Sequence, residues 1–357
     1  MRKILIIFML VLVASISLAN FFRPDIRPGY GVTSTGWLSD YFEPLKGTNL
    51  DTPVYFMDSG VPGPTFLLVG GTHPMEIAGT VAATIFIENA LVKSGRIIVL
   101  PFGNSSAASI GTVFYPNQPD HFLQIESNTG PRFLVYGDRN TDIEDQGVPD
   151  PDVYVHYQSG QELPGYESRN LNRNFPGRPD GTPTEKLAFA IIELIRTEKV
   201  DFNLDMHESD TPDNYSIVDG NKVQGGRLAY MLVCHQRGLE IGAYATMEIE
   251  FNYGVSLNLE ESDIRFKGLS HREIGDATES ISFLVESPNP GFDYSWRENA
   301  DVLYDEKYPL KHRVGLHLAT VEALINGYNM FMGTELTYSG VPTYSDLMEN
   351  GFEAYLN

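Results

Sequence analysis

The sequence of 357 residues contains a single cysteine, Cys234, so no disulfide can form within the chain. Stability must come from a hydrophobic core, and 42% hydrophobic residues with 11% aromatics are enough for a sizeable one. Internal repeats, heptad runs and low-complexity tracts are also missing, which argues against a solenoid, a coiled coil or a disordered chain. We expect Cys234, in an apolar helical run from Leu228 to Leu239, to be a buried small hydrophobe rather than a nucleophile.

Long apolar runs are scarce, and the one at the amino terminus has the three-part layout of a secretory signal. Arg2-Lys3 precedes an apolar stretch from Ile4 to Ala14, and small residues follow at Ser17-Leu18-Ala19. Because the apolar stretch is short for crossing a bilayer, we predict cleavage after Ala19 and export to the periplasm or the medium. An uncleaved membrane anchor is the alternative interpretation.

Positive charge is scarce as well, since 25 lysine and arginine residues stand against 47 aspartate and glutamate residues. The formal net charge of −22 would repel nucleic-acid phosphates and anionic lipid surfaces. We therefore expect no nucleic-acid partner and, after signal cleavage, no membrane partner.

Apolar segments alternate between the lengths typical of strands and of helices. Strands are predicted at 53–57, 66–69, 96–101, 200–207 and 281–286, and helices at 77–91, 185–199, 226–250 and 310–330, with Thr184 as a helix cap. This alternation predicts one α/β domain with helices on both faces of a mostly parallel sheet. We assign 1–19 to the signal, 20–64 to an irregular lead-in, 65–330 to the main domain and 331–357 to a tail without clear elements.

Polar side chains follow the apolar strands at the points where these strands end. His73 comes after the strand at 66–69, Glu76 lies three residues further on, and His207 and Glu286 end two later strands. Parallel strands bring their carboxyl ends to one edge of the sheet. A histidine and a glutamate three residues apart on a first helical turn can hold one Zn²⁺, and His207 would be the third ligand.

A catalytic zinc site also needs a position open to water and a carboxylate that takes up the proton of that water. Glu286 is the best candidate for this role, because burial at the end of an apolar strand would raise its pKa into a useful range. Structural alternatives exist for each residue. His73 could cap a helix, Glu76 could favour its positive end, His207 could be a hydrogen-bonded core histidine, and Glu286 could cap a turn.

The segment Ser168-Arg-Asn-Leu-Asn-Arg-Asn-Phe-Pro-Gly177 is rich in asparagine and arginine. The planar guanidinium of arginine suits bidentate binding of a carboxylate, although a solvated loop with structural arginines fits the pattern equally well. A second polar segment at 268–278 predicts a loop over the site. From this loop His271 and Arg272 could contact substrate, or they could simply be exposed.

Four motifs occur in the order seen in zinc carboxypeptidases, and they resemble most closely the succinylglutamate desuccinylase and aspartoacylase branch of that superfamily. The motifs are Gly-Gly-Thr-His73-x-x-Glu76, Asn170-Leu-Asn172-Arg173-Asn-Phe, Asp205-Met-His207 and Leu-Val-Glu286, within residues 65–291. The resemblance implies a three-layer α/β/α sandwich with a mixed, mostly parallel sheet, and one Zn²⁺ per chain.

The resemblance also implies a role for each matching residue. His73, Glu76 and His207 match the zinc ligands, and Glu286 matches the catalytic acid/base. In the arginine-rich segment, two neighbouring residues match the pair that holds the substrate carboxylate, namely Asn172 and Arg173.

The chain departs from the family pattern at three places. Pro74 follows the first histidine where glycine is frequent, and Asn170 stands where aspartate is usual. An upstream arginine that polarises the scissile carbonyl is absent at the usual interval. Arg169 is the nearest candidate for that role, and Arg139 lies further off.

Together these features predict an exported zinc-dependent hydrolase that cleaves an amide bond next to a carboxylate-bearing residue. The substrate would be an N-acyl amino acid or the carboxy-terminal residue of a peptide. A non-catalytic periplasmic binding protein for a carboxylate ligand is the main alternative. The oligomeric state is not predicted.

Overall fold

A computed structural model describes residues 24–111, 122–265, 267–293 and 300–357. The predicted signal at 1–19 lies outside the described residues. The α-helices of the described part are α1 Ile77–Asn89, α2 Ser105–Ala108, α3 Ile143–Gln146, α4 Pro183–Thr197, α5 Leu239–Tyr253, α6 Ser270–Ala277, α7 Leu310–Met332 and α8 Tyr344–Asn350. The strands are β1 Ser34–Trp37, β2 Pro53–Asp58, β3 Thr65–Val69, β4 Leu91–Ser94, β5 Arg96–Leu100, β6 Phe122–Ser127, β7 Gly130–Val135, β8 Val153–Val155, β9 Glu162–Pro164, β10 Phe202–Ser209, β11 Tyr215–Val218, β12 Asn221–Gln224, β13 Met231–Cys234, β14 Asn258–Glu261, β15 Ile281–Pro288 and β16 Thr337–Ser339.

The main sheet has eight strands in the order β1-β2-β5-β3-β10-β15-β13-β14. Its centre is parallel, because β5, β3, β10 and β15 all run in the same direction. The flanking strands β2 and β13 are antiparallel to their neighbours β5 and β15. The predicted mixed, mostly parallel sheet is therefore confirmed.

Strand β3 shows how the sheet buries both of its faces. Phe66 and Leu68 point into a core that includes apolar residues of α1, α5 and α7. Leu67 and Val69 point into a second core that includes apolar residues of α4 and Ile274 of α6. Each such buried side chain contributes roughly 1.5–3 kcal/mol, so the two cores supply the stability that disulfides do not. The three-layer α/β/α arrangement is confirmed by this packing.

Helix α4 begins earlier than predicted, and Thr182 rather than Thr184 is its cap. The Thr182 hydroxyl oxygen accepts a hydrogen bond from the backbone N–H of Glu185, and the Glu185 carboxylate accepts one from the N–H of Thr182 at 2.8 Å. Such reciprocal caps contribute about 1 kcal/mol. The hydroxyl of Thr184 instead donates to Gln146 at 2.8 Å.

The helix predicted over 226–250 is wrong in its first half. The apolar run at Met231–Cys234 is strand β13, and helix α5 begins only at Leu239. A four-residue apolar run is compatible with a helix or a strand. Here it forms a strand because it pairs antiparallel with β15. Cys234 is buried as expected, and burial raises the pKa of its thiol.

The segments on either side of the predicted main domain are more ordered than expected. The lead-in contributes β1 and β2 to the edge of the main sheet. The tail contributes β16, which pairs with β4, and helix α8. The predicted loop at 268–278 is instead largely helix α6. Within the described residues, no helix combines the length and the apolar character needed to cross a membrane.

Candidate active site

Three of the predicted site residues are placed by the carboxyl ends of the central strands. His73 lies in the turn after β3, Glu76 directly precedes α1, and His207 lies on β10. The turn is tight because Gly71 has a φ of +58°, a conformation that side chains with a Cβ rarely adopt. The backbone therefore brings His73 and Glu76 directly beside β10.

The side chains of His73, Glu76 and His207 converge on one point. Their potential ligand atoms all lie within 4.8 Å of one another, and all three residues are buried. His73 Nδ1 lies 2.7 Å from Glu76 Oε1, and His207 Nδ1 lies 2.8 Å from Glu76 Oε2. Two imidazole nitrogens and a carboxylate oxygen form a donor set that suits Zn²⁺.

The outer nitrogen of the His73 ring is oriented by Asn170. His73 Nε2 lies 2.7 Å from Asn170 Oδ1, which also accepts the backbone N–H of Asn172 at 3.0 Å. The other amide atom, Asn170 Nδ2, donates to the Glu167 carboxylate. This arrangement identifies Oδ1 as an acceptor, so His73 Nε2 donates to it and Nδ1 is the ring nitrogen next to Glu76.

The His207 ring lies against Asp205, at ion-pair distance but without the geometry of a hydrogen bond. His207 Nε2 lies 2.9 Å from Asp205 Oδ2, which leaves Nδ1 towards Glu76. Asp205 is held in turn by the hydroxyls of Thr72 at 2.8 Å and of Ser270 at 2.6 Å. Carboxylates that bind the outer nitrogen of a histidine are common around protein metal sites.

The electrostatics of the cluster favour positive charge at its centre. Burial raises the pKa of the Glu76 carboxyl, but His73 and His207 outweigh this effect and hold it well below its usual value. Burial lowers the pKa of His207, but Asp205 and Glu76 raise it well above its usual value. Burial dominates at His73, whose pKa is lowered. Glu76 and Asp205, on opposite sides of the His207 ring, thus stabilise positive charge there.

Glu286 lies beside this cluster on β15, at the position that pairs with His207 of β10. Its Oε2 atom is buried and has no hydrogen-bond partner among the described residues. Burial, reinforced by the nearby charge of Glu76, raises the pKa of Glu286 to about 8. A carboxyl group with such a pKa can exchange a proton near neutral pH.

These side chains line a cavity of about 830 Å³. The other residues that line it are Met75, Arg139, Asn172, Arg173, Glu208, Ser209, Asp210, Asn214, Leu228, Met231, Val233, Glu260, Glu261, Asp263, Leu269, His271, Leu284 and Phe292. The cavity wall therefore contains two arginines, several apolar side chains and several carboxylates. Such a mixed lining suits a substrate with both polar and apolar parts.

The predicted carboxylate-binding pair lies on this cavity wall. The Asn172 side-chain oxygen accepts the backbone N–H of Ser270 at 2.7 Å, so its amide nitrogen is the group that remains for a ligand. Arg173 donates to the backbone oxygen of Asn172 at 2.6 Å and lies 3.8 Å from Glu167. Burial lowers the pKa of Arg173. A carboxylate ligand would further compensate this partly buried charge.

Arg169, predicted to contact the substrate, is not among the residues that line the described cavity. Its guanidinium donates to Asp150 at 2.7 and 3.0 Å and to the backbone oxygen of Thr141 at 2.7 Å. These contacts hold it in a structural network. Arg139, the more distant candidate, lines the cavity instead, and its Nε atom is buried without a hydrogen-bond partner in the described part of the chain.

Some residues of the site were only partly foreseen. His271 lies on the cavity wall with Nδ1 2.7 Å from the Ser262 hydroxyl, and burial lowers its pKa to about 3. Arg272 donates to Asp276 at 2.7 Å and is absent from the residues that line the described cavity. The role of Asp205 could be foreseen from strand alternation, because residues two apart on a strand share a face.

No known family matches the sequence, and no curated protein matches it either. Solved structures with a similar fold include the metallo-carboxypeptidase from Burkholderia cenocepacia, with 11% identity, a TM-score of 0.49 and coverage of 85% of this chain and 66% of that chain. The succinylglutamate desuccinylase/aspartoacylase from Rhodobacter sphaeroides has 18% identity and a TM-score of 0.40, with coverage of 83% and 62%. The apo cell shape determinant protein Csd4 from Helicobacter pylori has 15% identity and a TM-score of 0.46, with coverage of 83% and 58%.

The chain spans 58–66% of the length of these three structures. At such identities the similarity concerns the fold, and the functional argument depends on the residues of the cavity.

Proposed function

We propose that the protein is an exported zinc-dependent hydrolase that cleaves an amide bond next to a carboxylate-bearing residue. The observation that carries this proposal is the convergence of His73, Glu76 and His207 beside Glu286, on one wall of one cavity. Three potential metal ligands and a carboxyl group with a raised pKa are the parts that metal-assisted hydrolysis requires.

The residues present fit a zinc ion. The outer nitrogen of His73 is hydrogen-bonded to Asn170, the outer nitrogen of His207 lies 2.9 Å from Asp205, and both inner nitrogens are directed at Glu76, so the two rings face a common point. The clustered carboxylates supply the negative charge that a dication needs. Bound there, Zn²⁺ would act as a Lewis acid that lowers the pKa of water and polarises the amide carbonyl.

Glu286 takes a proton from the attacking water and gives it to the departing amine. The water oxygen forms a bond with the carbonyl carbon, the carbon–nitrogen bond breaks, and a carboxylate and an amine leave the site. Its position beside His207 and its raised pKa both support this role.

Asn172 and Arg173 anchor the carboxylate of the substrate next to the scissile bond. Arg139 takes the role of stabilising the oxyanion that the sequence had suggested for Arg169, because its unpartnered Nε lies at the cavity. An N-acyl amino acid and the carboxy-terminal residue of a peptide both carry the required carboxylate. Export is part of the same proposal and depends on the signal pattern at 1–19.

The test is metal analysis of the purified mature protein together with a hydrolysis assay. N-acetyl amino acids and short peptides are incubated with the zinc-loaded protein, and released amine is measured. We expect one zinc per chain, loss of zinc in His73→Ala, and hydrolysis of at least one compound class. A wild type that takes up no zinc, even when zinc is supplied, would overturn the proposal.

The two arginines of the cavity also favour a second candidate function, that of a non-catalytic binding protein for a carboxylate ligand. This candidate predicts that a bound N-acetyl amino acid is recovered intact and that its affinity is unchanged by chelators. The same panel of compounds therefore separates the two functions.

A further inference from the structure

Ser270, the first residue of helix α6, makes two buried hydrogen bonds in two directions. Its backbone N–H donates to the side-chain oxygen of Asn172 at 2.7 Å. Its hydroxyl donates to Asp205 Oδ2 at 2.6 Å. One residue thus contacts both a proposed substrate-binding side chain and the carboxylate behind a proposed metal ligand.

The contact with Asp205 leads directly to the metal cluster. The same Oδ2 atom lies 2.9 Å from Nε2 of His207. The other oxygen of Asp205 accepts a hydrogen bond from Thr72 at 2.8 Å, so both carboxylate oxygens have a fixed direction. The hydroxyl of Ser270 therefore helps to hold the carboxylate that lies against the outer nitrogen of His207 and forms an ion pair with it.

The chain just before α6 is itself fixed against the segment that carries Asn172. Gly268 has a φ of +82°, and a Cβ at this position would come within 2.2 Å of the backbone oxygen of Arg173. The oxygen of Gly268 accepts the N–H of Phe175 at 3.2 Å, and its N–H donates to Glu273 at 3.1 Å. This close packing makes Ser270 part of a rigid connection rather than of a mobile loop.

We propose that Ser270 is a positioning residue that connects the metal site to the carboxylate-binding side chain. Its hydroxyl maintains metal affinity through Asp205 and His207, and its N–H directs the Asn172 amide towards the substrate. This inference rests on the proposed function. It adds the specific residue through which the two halves of the site keep their relative position.

Two substitutions separate the two contacts. Ser270→Ala removes the hydroxyl but keeps the N–H, so it breaks only the contact with Asp205. Ser270→Pro removes both contacts, since proline has no N–H. Proline is well tolerated at the first position of a helix, and the preceding Leu269 already has the extended conformation that a following proline requires, with φ −87° and ψ 137°.

The matched control is Ser280→Ala. Ser280 is also fully buried, and its hydroxyl donates to a side-chain oxygen, that of Asn203 at 3.1 Å. That contact touches none of the clustered side chains and reaches Ser270 only through Asn203 and Ser282, at the backbone oxygen of Ser270, so it leaves the Ser270 hydroxyl and N–H contacts in place. Ser270→Thr serves as the conservative variant, because it restores a hydroxyl at the same position.

The first measurement is zinc affinity, obtained by competition with a chromophoric chelator. We expect Ser270→Ala to weaken zinc binding about 10- to 100-fold, with Ser270→Thr closer to wild type and Ser280→Ala unchanged. The second measurement uses the panel compound that the wild type hydrolyses fastest, at saturating zinc. There Ser270→Pro should raise KM about tenfold above the value for Ser270→Ala, which corresponds to about 1.4 kcal/mol.

Equal zinc affinities of wild type, Ser270→Ala and Ser280→Ala would overturn the inference while leaving the proposed function intact. A similar loss in Ser270→Ala and Ser280→Ala would also overturn it, because a general effect of removing a buried hydroxyl would then explain the result. A wild type without zinc affinity would overturn both this inference and the proposed function.

Discussion

His207 and Glu286 are paired residues on the adjacent parallel strands β10 and β15. Adjacent strands are about 4.8 Å apart, and paired residues point to the same face of a sheet. The spacing between a proposed metal ligand and the proposed acid/base is therefore set by backbone pairing in the centre of the sheet. A site built on strands in this way is held more precisely than one built on loops.

The separation of roles at this pair can be tested with Glu286→Gln. Glutamine has the same shape but cannot take up or release the proton, so we expect the kcat for hydrolysis to fall roughly 100- to 10,000-fold. Zinc content should stay at the wild-type value, because Glu286 is not one of the clustered ligands. Elemental analysis and initial rates on the same sample check both parts. Full activity in Glu286→Gln would remove this residue from the mechanism.

The raised pKa of Glu286 also predicts how stability depends on pH in the metal-stripped protein. The folded protein keeps the Glu286 proton up to about pH 8, whereas an unfolded chain releases it near pH 4.5. The unfolded state thus binds fewer protons in this window, and the free energy of unfolding contributed by Glu286 falls as the pH rises from 4.5 to 8. The maximal slope is about 1.4 kcal/mol per pH unit.

Urea unfolding in the presence of a chelator, at pH 5, 6.5 and 8, measures this slope. Glu286→Gln should be less sensitive to pH than the wild type over this window. Other titrating groups, including His207, are present in both proteins, so the comparison isolates the carboxyl group. Parallel pH profiles of the two proteins would show that Glu286 titrates normally.

Glu208, which lines the cavity, forms a fully buried ion pair with Arg313 of helix α7. Both side chains are fully buried, and the carboxylate of Glu208 also accepts the N–H of Ala78 in the first turn of α1 at 3.0 Å. Arg313→Met would leave the buried Glu208 charge without its partner, and we expect a loss of about 3–5 kcal/mol in the free energy of unfolding. Denaturant titration measures it, with the exposed Arg265→Met as a control of little effect. A loss no larger than that of the control would contradict the prediction.

The three residues proposed as metal ligands could be picked out in the sequence because they follow apolar strands in a recognisable order. His73, Glu76 and His207 each belong to a local motif, and parallel strands bring such motifs together. Strand β13 was missed for the opposite reason. Its four apolar residues are too few to show a clear period. The residues of β15 with which they pair lie roughly 50 positions further along the chain, too far away to influence a local sequence pattern.

The assignment of the arginines shows the same limit. Arg169 lies next to the Asn172-Arg173 motif in the sequence, but its guanidinium is bound by Asp150 from another segment. In the sequence, Ser270 is likewise only one residue of a polar stretch. Its hydrogen bonds to Asn172 and Asp205 form only in the folded chain. Contacts between distant segments decide such roles, and a single sequence does not contain them.

The final prediction compares the alanine variants of Arg139 and Arg169. Arg139→Ala removes the guanidinium at the cavity wall, and we expect kcat to fall roughly 100- to 1,000-fold, as when a group that stabilises an oxyanion is lost. Arg169→Ala removes three hydrogen bonds in a structural network, so we expect near-normal kcat and KM in the folded protein but a free energy of unfolding lower by about 1–3 kcal/mol.

Steady-state kinetics and urea unfolding of both variants give the four values needed. The expected pattern is a crossed one, in which Arg139 affects the rate and Arg169 affects the stability. The reverse pattern would restore Arg169 to the role that its place in the sequence suggested. It would also require the network around Asp150 to open when substrate binds, because Arg169 reaches the cavity only if it gives up its contacts with that carboxylate. The crossed pattern instead assigns oxyanion stabilisation to a residue that lies outside the arginine-rich motif.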